Sequence, residues 1–243
     1  MEDGGLTIQW TQMPTYNTIM AISTGAALCS LARLGKKLYQ GNRFSVDGYA
    51  INFGILGFIL TITGAHMSIA WPLAKYFPFD NIIFGEPSFG FGVILLFTSL
   101  YFFIRSKVLK ESSNIAAVIG ESGRPLKFIF IAFGLSLVSI AVAGMVYQLF
   151  AAPPAEPIAG EFANKPWIEA TFISGLYFFT GVAVLLFPAN MNVLAKLELP
   201  FQTGVLQKAS YFLLNMLGWV FLLFGAMNYF THIGLIINTM PKG

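Results

Sequence analysis

Six apolar runs, each long enough to cross a hydrocarbon core of about 30 Å, constrain this chain more than any other feature. They fall at about residues 16–34, 47–73, 88–104, 127–150, 167–188 and 209–236. One crossing needs roughly 20 residues of helix. The pattern therefore predicts an all-α, polytopic integral membrane bundle of about six transmembrane helices, with residues 1–243 forming one membrane domain. The first run is the weakest, short and dotted with Thr, Ser, Asn and Gly. Composition agrees, since 56% of residues are hydrophobic and only 10% charged, a balance that excludes an ordinary soluble domain.

The first run is preceded by acidic "MEDGG" and followed by Arg33, Lys36 and Lys37. A cleaved leader carries its charges the other way round, so this run reads as a retained helix. The remaining cations orient the bundle, because Lys and Arg concentrate in loops that stay inside the cell. Arg33, Lys36, Lys37 and Arg43 follow the first run, and Arg105, Lys107, Lys110, Arg124 and Lys127 follow the third. Lys196 and Lys208 follow the fifth, whereas only Lys75, Lys165 and Lys242 fall on the other side. The expectation is a plasma-membrane protein with both termini outside. Its net charge of +3 is accounted for by basic loops beside anionic lipid, with no nucleic-acid partner. Cys29, the one cysteine, rules out disulfides within the chain and thiolate metal clusters.

Two loops on the outer side, "AKYFPFDNIIFGEPSFG" and "AAPPAEPIAGEFANKPW", are rich in Pro and aromatics and lack long polar tracts, which predicts compact caps on the helix ends. On the inner side, Val193, Leu194, Leu197 and Leu199 in "NMNVLAKLEL" fit either a short amphipathic helix lying along the membrane surface or a continuation of the fifth span.

Small residues recur at helical spacing. Gly54, Gly57, Thr61, Gly64 and Ser68 draw a stripe down the second helix, and Gly218, Leu222, Gly225 and Tyr229 draw one down the sixth, continuing to His232. Such stripes let a neighbouring helix approach closely. "GFILTITGAHM" and "GWVFLLFGAMN" share a Gly, six residues, then Gly-Ala, with a fainter echo in "AGMVY" of the fourth helix. These helices run in the same direction. A threefold hairpin duplication fits, and so does chance, since Gly and Ala are common in membrane helices.

Polar groups that a membrane helix carries at a cost are the candidates for chemistry. His66 and His232 are the only histidines. A lipid-facing imidazole would be stranded, so His66 is expected to point into the bundle, roughly 8 Å below an interface marked by Trp71. Glu169, Glu86, Asp80 and Tyr229 gather at the same level. For Glu86 and Glu169 the competing reading is favourable placement in the first turn of a helix; for the histidines it is a hydrogen bond to a neighbouring helix.

"GAHMSIAWPL" followed by "NIIFGEPSFGFG" resembles the central signature of a family of uncharacterised polytopic membrane proteins, mainly archaeal with some bacterial members. The resemblance implies that His66, Trp71, Asn81, Gly85 and Glu86 belong to one motif, and it transfers no activity. Three readings of function stay open. In one, the protein is an accessory subunit of a larger membrane assembly. Its redox version has His66 and His232 binding haem b, or those two with Glu169 and Glu86 binding another metal. The second is a small-solute or ion transporter, although the broken helices and midplane acids of that class are missing. The third is a structural scaffold among lipid and other membrane subunits. No phosphate-cradling loop, zinc-binding HExxH or nucleophile elbow is present.

Overall fold

The computed structural model describes residues 17–70, 77–198 and 203–240. Nine α-helices occur among these residues: α1 (Asn17–Tyr39), α2 (Val46–Ile69), α3 (Glu86–Ile104), α4 (Ser106–Glu111), α5 (Ile115–Gly123), α6 (Lys127–Tyr147), α7 (Pro166–Leu185), α8 (Phe187–Ala195) and α9 (Val205–Thr239). A π-helical turn, Asn81–Gly85, leads into α3, and there is no strand among the described residues. Six segments are long and apolar enough to cross a membrane: Asn17–Tyr39, Val46–Ile69, Asn81–Ile104, Ile115–Tyr147, Pro166–Ala195 and Val205–Thr239. The chain is a multi-pass, all-α membrane protein. Trp71, Lys75, Leu199 and Lys242 lie outside the described residues.

Local chemistry sets the helix ends. Ser45 starts α2 by accepting a hydrogen bond from the Gly48 amide at 3.1 Å. At the other extreme, α6 stops at Tyr147 because Gln148 turns left-handed at φ 51°. α1 runs a turn beyond its apolar stretch to Tyr39, with Lys36 and Lys37 in its last turn, cations that complement the negative end of the helix dipole. α9 spans 35 residues. At 1.5 Å per residue it is about 52 Å long, so it overshoots a hydrocarbon core of about 30 Å.

Helices α2 and α3, α6 and α7, and α1 and α9 pack as three antiparallel pairs. Glycine makes each close approach possible. A Cβ at Gly57 would lie 2.7 Å from the Leu96 amide nitrogen, one at Gly181 2.8 Å from the Gly134 carbonyl, and one at Gly218 2.8 Å from the Cys29 amide. The stripes expected on the second and sixth spans are thus consumed by partners within the chain. The echo between the sequences has a structural counterpart: α2, α6 and α9 run in one direction and carry small buried residues seven apart, Gly57 and Gly64, Gly134 and Ala141, Gly218 and Gly225.

At the end that carries the basic loops, Leu38, Val46, Phe102, Leu109, Ala116 and Leu194 belong to one buried cluster. Two buried hydrogen bonds tie α1, α8 and α9 there: the Tyr39 hydroxyl donates to Asn190 Oδ1 at 2.7 Å, and Asn190 Nδ2 donates to Ser210 Oγ at 2.8 Å. α8 follows α7 after Leu186 and buries Asn190, Met191 and Leu194. A Cβ at Gly120 of α5 would lie 2.2 Å from the Ala195 amide, so α8 is a broken continuation of the fifth span, clamped by α5. The opposite end of the bundle is packed differently, because there the three pairs diverge around a cavity.

Candidate functional site

The cavity has a volume of about 470 Å³ and is bounded by α1, α3, α6, α7, α9 and the segments before α3 and after α6. α2 contributes nothing to it. Its lining changes character along its length. The deep part, reaching Phe221 on α9, is built from aromatic and aliphatic side chains, including Leu28, Phe91, Phe133 and Val184. Its other end carries Asp80, Glu156, Glu169, Asn228, Thr231 and His232. From Phe221 to His232 the rise along α9 is roughly 16 Å.

The loop between α6 and α7 builds much of the polar end. It contains one short 3-10 turn, Ala159–Phe162, before which Ile158 adopts φ 67°, ψ −65°, closing a three-residue turn in which the Ala159 amide donates to the Pro157 carbonyl at 2.8 Å. A β-branched residue at positive φ is strained, and such strain persists only where surrounding contacts enforce it. Two contacts do so: Gly234 of α9 leaves room for Pro157, whose Cγ would sit 2.4 Å from an added Cβ, and Asn238 Nδ2 donates to the Ala155 carbonyl at 2.8 Å. Glu156 is thereby held over α9 with its Oε1 3.7 Å from His232 Nε2, and Thr231 beside it.

Glu169 occupies the first turn of α7, but its Oε2 accepts from the Ala152 amide at 2.6 Å, so it secures the loop to α7 instead of capping its own helix. Glu156 and Glu169 lie close enough to repel one another. Asp80, immediately before the π-helical turn, sits beside Tyr177, whose hydroxyl donates to the Ile83 carbonyl and whose ring stacks on Phe150 at 5.7 Å. Burial pushes the Asp80 carboxyl well above the ordinary carboxylate range, and it raises Glu156 as well, against the Thr231 hydroxyl, which lowers it.

Several polar atoms here have no hydrogen-bond partner within the protein. They are His232 Nδ1, Thr180 Oγ1 and Asn17 Oδ1, all on residues that line the cavity. Asn228 is only 7% exposed, and its carboxamide makes no hydrogen bond.

Of the residues singled out in the sequence, the structure brings together His232, Glu169 and Asp80. His66 corrects the expectation that it points into the bundle: it is exposed. α2 turns Gly64 and Met67 inward, and a residue about 200° round from Gly64 and 100° from Met67 must face away. Glu86 is likewise exposed, in the first turn of α3. Of the two histidines, only His232 lines the cavity. Among the described residues, no three His, Cys, Asp or Glu side chains cluster closely enough to hold a metal ion.

Asn81 and Gly85, between the second and third spans, take part in packing. The Asn81 carboxamide donates to the Met67 carbonyl, and Gly85 seats against Met67 and Ser68, each 3.1 Å from an added Cβ. Tyr229 is exposed. Sequence reasoning missed Glu156, Tyr177 and Asn228. Glu156 had one visible signal, an acid isolated among prolines in "AAPPAEPIAG"; Tyr177 and Asn228 had none beyond being polar in apolar helices.

Residues 13–234 match the family described as "Protein of unknown function (DUF981)", and the chain belongs to it. Among curated proteins and among solved structures, none matches the chain.

Proposed function

From membership of a family whose description names no activity, we propose, on geometry alone, that this protein is a membrane-embedded binding protein for an amphipathic small molecule. The observation that carries the reading is the gradient along the cavity, rings and aliphatic side chains at depth and carboxylates, imidazole and carboxamide at the other end. Its volume of about 470 Å³ falls within the range of roughly 300–1,000 Å³ common for ligand sites. By the bias of basic loops toward the cytoplasm, the polar end and both termini face outward across the plasma membrane. Transport of the bound molecule, or its delivery to neighbouring subunits, would be a use of this same cavity.

The test is retention. Protein purified in mild detergent and then denatured should release a cavity-bound molecule detectable by mass spectrometry. Thr180→Phe, which fills the cavity from α7, should abolish that retention while the variant still unfolds cooperatively. Identical small-molecule content in the wild type and the filled variant would sink the reading.

A further inference from the structure

We infer that the cavity selects its ligand by charge, taking amphiphiles whose polar group is a cation that donates hydrogen bonds, such as an alkylammonium. The inference rests on the binding role proposed above and names the ligand class of that cavity. Three carboxyl groups, Asp80, Glu156 and Glu169, face the polar end from three different segments, and none of the described residues lining the cavity is Lys or Arg. An anionic head would meet uncompensated repulsion there. A neutral head would leave the carboxylates unpaired.

The acids alone do not define a site; the unmatched acceptors around them do. The Asn228 carboxamide, more than nine-tenths buried, lines the cavity with no hydrogen-bond partner. Asn17 Oδ1, at the start of α1, is a buried oxygen without a partner on the same cavity. A buried polar atom left without a partner is destabilising. A group with several N–H donors placed at this end satisfies carboxylate and carboxamide oxygens together, the carboxylates through charge-assisted bonds.

His232 limits the head group further. Its Nε2 is 3.7 Å from Glu156 Oε1 and its Nδ1 has no partner. A neutral imidazole can accept a hydrogen bond from the ligand at one nitrogen while the other is directed at Glu156. The geometry favours a primary or secondary ammonium, which has protons to share among these acceptors, over a quaternary one. Below the head, Phe84, Phe91 and Phe224 line the path of the apolar chain.

The experiment uses the full chain in detergent and three probes of equal chain length, decylamine, decanol and decanoate, with bound molecules counted by native mass spectrometry. Decylamine should bind more tightly than decanol, and decanoate least. Glu156→Gln should weaken decylamine roughly tenfold to a hundredfold, the loss expected for one charge-assisted contact, and leave decanol unchanged. Unchanged decanol binding also shows that the variant is folded. Glu121→Gln, on an exposed residue paired with Arg124 at the basic end, should alter none of the three. Equal binding of decylamine and decanol would overturn charge selection while leaving the binding cavity in place. Preference for decanoate would overturn it too. If no probe binds, or binding survives Thr180→Phe, the cavity reading itself fails and this inference with it.

Discussion

Asp80 shows how one residue sets the electrostatic state of the cavity. Its carboxyl, raised by burial, is stabilised in the folded protein as the neutral acid. That contribution to stability is fully present below the ordinary carboxylate pKa and is lost as the pH rises through the raised value. The unfolding temperature of the ligand-free protein should therefore fall between mildly acidic and neutral pH by more in the wild type than in Asp80→Asn. Parallel curves would mean that the carboxyl is already neutralised by a partner. Cation binding has the opposite sign, since it needs ionised carboxylates, so decylamine should bind better at neutral than at acidic pH. The sequence made half of this polar cluster legible. His232, Glu169 and Asp80 stood out as ionisable groups near one surface, whereas Glu156 and Asn228 become site residues only when the proline-rich loop folds over α9. His66 misled because a polar residue in an apolar run signals cost but not direction. The inward face of α2 is set by Gly64 and Met67.

At the scale of elements, lipid makes the long helices legible: an apolar run of sufficient length has few other structures available to it. The short α4 and α5 were not, because six to nine residues of mixed polarity carry too little periodicity, and α5 is held by its contact with α8 and by Asn114, which caps it and donates to the Leu197 carbonyl at 2.7 Å. The small-residue stripes were read correctly as contact faces, though not which helix fills them; the pairing of α1 with α9 joins the two ends of the chain and leaves no local trace. Their strength can be measured. A Cβ at Gly64 would meet the Phe89 amide nitrogen at 2.3 Å, a backbone atom that cannot swing aside, whereas one at Gly175 of α7 meets nothing within 4 Å. Gly64→Ala should cost about 1–3 kcal/mol, the range for bulk forced into a close-packed contact. Gly175→Ala should be neutral or slightly stabilising, as alanine is the better helix former. Equal unfolding midpoints for the two variants in detergent would show that α2 and α3 do not meet at Gly64.

For the whole molecule, the stripes bear on partners. Gly57, Gly64, Gly218 and Gly225 are occupied by the chain's own helices, so these stripes are not available to a neighbouring subunit. What distinguishes the two ends of the bundle is charge: eleven of the fourteen Lys and Arg residues belong to one end, and the acidic end of the cavity lies at the other. The two asymmetries are independent in sequence, yet together they decide from which side of the membrane a cation reaches the site. If the basic end is cytoplasmic, an amine enters from outside without crossing the bilayer. Cysteine labelling tests this directly. Cys29 is buried against Gly218, so the native background is low. Asn164→Cys, exposed in the loop before α7, should react with a membrane-impermeant maleimide in intact cells, and Ser113→Cys, exposed between α4 and α5, only after permeabilisation. The reverse pattern would reject the orientation and put the carboxylates of the cavity on the cytoplasmic side, where the same chemistry would draw its amine from inside the cell.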